Sequence, residues 1–200
     1  TGSLTNFVES VGAADAPEVR EVRKELAAAT DSFEAASTAA DSPLIAPLKV
    51  VPILGRQVRS VSKLSSAAAD TTRATSTAFD QLVATAAGKS STPQDRLATG
   101  QRTQQILDEL SKQITDVDLG PKDGLVGPLA DAYDRFDEQL VALRSSVDRA
   151  LVGVTGVNQF LTGPSRYLVL ASNNAEMRAG SGMYLQAGEL SVTQGSFSMS

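Results

Sequence analysis

The densest group of chemically capable side chains is Asn173, Asn174, Glu176 and Arg178. It joins two amides, a carboxylate and a guanidinium directly after the apolar run Arg166-Tyr167-Leu168-Val169-Leu170-Ala171. A loop leaving a strand is a common place for binding groups to be presented, so these four could hold a small polar ligand. The same residues also suit a structural task. Glu176 and Arg178 have the charges for a close pair, and Asn side chains satisfy the backbone donors of a tight loop. The structural reading is preferred, because nothing nearby offers a base of suitable pKa.

The remaining candidates are weaker still. The chain contains no His and no Cys, which removes the commonest general base, the commonest zinc ligand and any thiolate chemistry. A nucleophile would have to be Ser or Thr. Ser60 and Lys63 stand one helical turn apart, but in so Ser-rich a sequence that spacing arises readily by chance. Gly180-Ser181-Gly182 is too short for a phosphate loop. Asp134, Asp137 and Glu138 read as a solvated helix face rather than an acid–base pair. An oxygen-only metal site stays open in principle, yet no calcium-loop pattern occurs. The sequence therefore assigns no catalytic residue, no metal ligand and no cofactor. A net charge of −5 lacks the basic footprint of a nucleic-acid binder.

The elements that must position these residues are mostly helical. Aromatics make up only 4% of the chain and Ala supplies much of its apolar content, which suits long helices in close packing. Residues 1–16 read as a lead-in. Pro17 opens a first helix whose stripe runs Val19, Val22, Leu26, Ala29, Phe33, Ala36 and Ala40, at alternating steps of three and four. The Pro-rich stretch Pro43–Gly55 reads as an extended, buried connection. A second helix is expected from about Arg56 to Ala87, with Val58, Val61, Leu64, Ala68, Phe79, Leu82 and Ala86 inside; its middle, Thr71–Thr77, is poor in large apolar groups. Thr92-Pro93-Gln94-Asp95 marks the start of a third helix carrying Leu97, Thr103, Leu107, Leu110, Ile114 and Val117. The fourth has the plainest stripe: Leu129, Tyr133, Phe136, Leu140, Leu143, Val147, Ala150 and Val154.

After Gly163-Pro164 the period shortens. Arg166–Ala171 reads as a buried strand, Tyr184–Thr193 as a second, and a third follows a turn at Gln194-Gly195. The fold class is thus mainly α: an elongated up-down bundle of about four long helices over residues 17–157, then a short β segment over 158–200 that begins a second domain. Phe33, Phe79, Leu110, Phe136, Leu140 and Leu143 are expected inside the bundle.

Pro52-Ile53-Leu54-Gly55, followed later by Arg-Tyr-Leu-Val-Leu (166–170) and Asn-Asn-Ala-Glu-Met-Arg-Ala-Gly (173–180), resembles the bacterial family known as domain of unknown function 4012. The order of elements agrees over about residues 17–200. The resemblance implies a multi-domain, actinobacterial-type protein, with an N-terminal membrane anchor and an extracytoplasmic body in the cell envelope. It supplies no activity and no catalytic residues. The opening Thr1-Gly2-Ser3, without Met, fits a processed or trimmed product whose anchor lies outside this chain. The expected partners are cell-envelope components or other domains of the same protein.

Three readings follow: a non-enzymatic structural or interaction module, a ligand-sensing helical bundle, or part of an envelope-glycan enzyme whose catalytic residues lie elsewhere. The structural reading of the polar cluster is directly testable. Glu176→Ala is expected to lower stability by about 1–3 kcal/mol through the loss of a partly buried charge-assisted bond. A Glu176→Arg/Arg178→Glu double variant should recover part of that loss in thermal melts. A single variant that keeps its melting temperature but loses a binding activity would favour the ligand-site reading instead.

Overall fold

The structure, a computed structural model, describes residues 16–40, 42, 52–88, 92–173 and 183–200. Among them are four helices, α1 (Pro17–Ala40), α2 (Pro52–Ala87), α3 (Pro93–Thr115) and α4 (Gly127–Thr162), and three strands, β1 (Ser165–Asn173), β2 (Met183–Thr193) and β3 (Ser196–Met199). The mainly α class and the order of elements are as the sequence indicates. Three helix boundaries differ: the third helix ends at Thr115, short of the expected Val117. The second helix begins at Pro52 rather than Arg56, because Pro at a first helical position lacks only a donor that would be unpaired there anyway. The fourth continues through Gly153 and Gly156 to Thr162, so isolated glycines did not end it. The expected lead-in falls almost wholly outside the described residues, as does the Pro43–Val51 part of the connection.

The chain packs as two compact units. The first comprises Thr1–Ala87 and Gln105–Leu151. In it α1 lies antiparallel to α2, as three cross-links show: Arg23 to Asp80 at 2.8 Å, Glu34 to Arg73, and Ser37 to Ser66 at 3.0 Å. Exposed pairs of this kind contribute little free energy each, and their role is register. Val19 and Ala40 are buried at the two ends of the α1 stripe, while Leu26, Ala29, Phe33 and Ala36 are half-buried and Val22 is exposed.

The Thr-rich middle of α2 is helical without interruption. The Thr72 and Thr75 hydroxyls donate to the carbonyls of Ala68 and Thr71, each at 2.8 Å, so these polar side chains are satisfied locally. The small Ala74 and Ala78 then face the main core, which gathers Ala78, Ile106, Leu110, Ile114, Leu119, Leu140 and Val147. Leu140 is only 2% exposed. Of the six residues expected inside, Leu110 and Leu140 are buried, Phe33, Phe79, Phe136 and Leu143 are half-buried, and none is exposed. Ala86 and Ala150 were expected on the inner stripes and are exposed; Leu151 packs on the core in place of Ala150. A helix of 3.6 residues per turn drifts from a strict seven-residue repeat by about 20° per heptad, enough to move the stripe by one position.

Side chains close the loop between α3 and α4. Arg144 donates from Nε to the Ile114 carbonyl and from Nη2 to that of Thr115, both at 2.8 Å, pairing two acceptors that the end of α3 leaves free. Gln57 accepts from the Val126 N–H at 3.1 Å and donates to the Gly124 carbonyl at 2.6 Å. Tyr133 donates to the Gly120 carbonyl at 3.0 Å.

The second unit comprises Gly88–Gln104 and Val152–Ser200. Its α3 portion starts with a reciprocal cap: the Asp95 N–H donates to Thr92 Oγ1 at 3.1 Å, and the Thr92 N–H to Asp95 Oδ2 at 2.9 Å. Buried Asn158 of α4 donates to the Gly100 carbonyl at 3.1 Å and to Gln104 at 2.7 Å. The sheet is antiparallel in the order β1-β2-β3, with a bulge between Ala171 and Ser172. Leu140→Ala is expected to lower unfolding stability by about 2–5 kcal/mol, since it empties volume at the centre of the first unit. Thr92→Ala should cost about 1 kcal/mol through the lost cap. Denaturant titration of both variants checks the ranking; equal losses would mean that Leu140 does not anchor the core.

Candidate functional site

Of the four residues singled out by sequence, only Asn173 is among the described residues. Asn173 is the last residue of β1 and pairs with Met183 of β2. Asn174, Glu176 and Arg178 fall outside the described residues. Two of the weaker candidates are paired locally. Lys63 reaches Asp118 at 2.5 Å, and Asp134 holds Lys122 at 2.7 Å. No group of side chains able to hold a metal ion occurs among the described residues.

The sheet itself presents the more informative surface. Its β2–β3 turn is fixed by backbone geometry. Gln194 and Gly195 both have positive φ (49° and 74°), as a tight two-residue hairpin requires. The turn is bonded to the helix ends: Gln194 N–H to the Thr162 carbonyl at 3.0 Å, Gly195 N–H to Leu161 at 2.8 Å, and Arg96 Nη1 to the Gly195 carbonyl at 3.2 Å. A Cβ on Gly195 would stand 2.3 Å from the Pro93 carbonyl oxygen, and one on Gly163 (φ 59°) 2.2 Å from that of Val192. Neither position admits another residue without movement.

Cross-strand register assigns the faces. Tyr167 opposes Leu190, Leu190 opposes Met199 and Val192 opposes Phe197, so these residues share one face. Phe160 of α4 covers the start of it, with ring centroids 5.4 Å from Tyr167 and 6.0 Å from Phe197; the Arg96 guanidinium lies 5.8 Å from the Phe197 centroid. Val192 beneath is fully buried. Further along, Met199 is 63% exposed. On the opposite face Leu168 is 72% exposed and Leu170 also stands in solvent. The first strand is therefore not buried, contrary to the reading of its apolar run. An unbroken apolar strand calls for cover on both faces, and among the described residues of this unit the aromatic packed on it is Phe160 of α4. The two-residue alternation of β2 and β3, Leu190/Val192 and Phe197/Met199 against Glu189/Ser191 and Ser196/Ser198, was the legible sign of a one-sided sheet.

Residues 162–200 match the model of a family described as protein of unknown function (DUF4012). The match begins at the last residue of α4 and takes in all three strands and the hairpin turn. It supports the family resemblance carried by the strand and the Asn-Asn-Ala-Glu-Met-Arg-Ala-Gly motif, and it leaves the helical residues before 162 outside. No curated protein and no solved structure matches the chain. No helix among the described residues is long and apolar enough to cross a membrane.

Outside the DUF4012 segment, one carboxylate is distinctly tuned. The hydrogen bond from Lys63 holds Asp118 below the ordinary aspartate range, helped by the Gly120 N–H at 2.7 Å. A folded-state pKa lowered in this way favours the native state above the unfolded value, and that contribution is lost as pH falls through the folded value. Carbon-detected titration should show Asp118 protonating at lower pH than an exposed aspartate. Lys63→Met should move its midpoint upward. An unmoved midpoint would show that the lysine does not set it.

Proposed function

We propose that the chain is a non-enzymatic structural and interaction module of a cell-envelope protein, in which helices carry a β platform for other domains of the same protein or for envelope components. The carrying observation is the sheet: it is bonded through Gln194, Gly195 and Arg96 to the helix ends, yet it leaves Leu168, Leu170 and Met199 exposed. Exposed apolar side chains on both faces of a sheet mark surfaces suited to a further layer, and a three-stranded sheet gains stability from packing on one. The sequence resemblance implies an actinobacterial-type, extracytoplasmic setting, and the match to DUF4012 over these same residues supports that resemblance and no more. The anchor in the cytoplasmic membrane would be a segment outside this chain. Nothing in the charge favours nucleic acid as a partner. A second reading, a ligand-sensing bundle, draws support from an apolar groove among α1, α2 and α4.

One experiment on the full-length protein addresses both location and platform. Protease added to cells stripped of their outer layers is expected to cut this segment; protection until lysis would place it inside and overturn the location. Leu168→Thr/Leu170→Thr keeps strand-compatible side chains and should leave the stability of the isolated 200-residue chain within about 0.5 kcal/mol. In the full-length protein the same double variant should accelerate cutting within the sheet, because a covering layer is lost. Identical cutting patterns would overturn the platform.

A further inference from the structure

The α1 stripe does not close completely against its neighbours. Between α1, α2 and α4 of the first unit lies an open groove of about 370 Å³. Phe33 of α1, Val61 and Leu64 of α2, and Leu129 and Phe136 of α4 make its lining mostly apolar. This volume is at the small end of the roughly 300–1,000 Å³ typical of ligand sites. The cause is in the side chains: Ala36, Ala68 and Ala132 also line the groove, and three methyl groups leave space that larger residues would fill.

Its polar groups are few and unequal. Arg135 lies on the α4 wall and forms no ion pair among the described residues, although Asp131 and Glu138 flank it on the same helix. Among the described residues no acidic side chain lines the groove. An apolar channel beside a single guanidinium is complementary to an apolar chain ending in an anion. A cationic head would meet like charge, and a neutral one would leave the guanidinium unused.

We infer that this groove binds a single-chain anionic amphiphile, with its alkyl chain along Phe33, Leu64 and Phe136 and its acidic head at Arg135. The inference deepens the ligand-sensing reading and is independent of the sheet as a platform. Ligand burial here would join α1 to α4 and complete a seam that the small side chains leave open.

The test uses the 200-residue chain, with dodecanoate, dodecyl phosphate and dodecyltrimethylammonium below their micelle concentrations. Methyl NMR is expected to show shifts centred on Val61, Leu64 and Leu129 with both anions. The anions should bind about two- to fivefold more tightly than the cation, as one exposed charge contact allows. Phosphate binding without carboxylate binding would assign the head group to phosphate esters and still support the inference. Arg135→Glu should reverse the preference between anion and cation. Ala132→Phe should fill the groove and abolish binding of all three, with far-UV circular dichroism confirming that the helices persist. If that variant unfolds, the charge reversal alone decides. Equal affinity for anion and cation would overturn the anionic assignment while leaving the sensing reading intact. Shifts located elsewhere, or none, would overturn the groove as a site.

Discussion

The packing of α4 against the small residues of α2 is the constraint on which the first unit depends. Leu140 and Val147 can reach Ile106, Leu110 and Ile114 only because Ala74 and Ala78 keep the α2 surface low at that level. Each large aliphatic side chain fully removed from water contributes about 1.5–3 kcal/mol, whereas an exposed ion pair contributes about 0–1 kcal/mol. The Arg23–Asp80 and Glu34–Arg73 pairs therefore cannot hold α1 in place by themselves. They select one antiparallel register among several that a low-relief Ala-rich surface would tolerate. Arg144 does a related job at the end of α3, where it pairs two helix-terminal carbonyls and so ties α4 to the point where α3 stops.

The second unit is organised differently. Its decisive contacts are main-chain: the hairpin turn donates to the carbonyls of Leu161 and Thr162, and the exit from α4 passes against the Val192 carbonyl at Gly163. Such contacts fix direction closely but bury little apolar area. The area is supplied by Phe160, Tyr167, Val192 and Phe197, and it runs out along the strands toward Met199. One end of the sheet is thus held firmly, while further along Leu168, Leu170 and Met199 are left exposed among the described residues.

Much of this was legible in the sequence. The α4 stripe as far as Val147, the Thr92-Pro93-Gln94-Asp95 cap and the Gln194-Gly195 turn each rest on local chemistry, and each stands where that chemistry puts it. The start of α2 was missed because three prolines in thirteen residues read as a break, although the last of them, Pro52, suits a first helical turn. The exposure of β1 could not be read from Tyr-Leu-Val-Leu, since an apolar run records a need for cover and not whether the cover lies within the same unit. The groove at Arg135 depends on the relative heights of three separate helices, which no single periodicity encodes. Of the polar cluster, the structure adds only the Asn173–Met183 pairing at the strand ends.

The contrast between the two units also accounts for where family likeness is found. A helix seam of Ala, Thr and scattered Leu is satisfied by many sequences, because volume-conserving exchanges among small and aliphatic residues cost little when the stripe is kept. Register pairs such as Arg23–Asp80 can move by a turn or swap sign without changing the fold. The sheet is less permissive. Positive φ at Gly163 and Gly195, each within 2.3 Å of a carbonyl oxygen for any added Cβ, ties residue identity to position, and a one-residue slip would exchange the two faces of all three strands. A segment under those restrictions carries a sharper sequence signature than a helix of similar length. The family match over 162–200 falls on the segment that carries these restrictions.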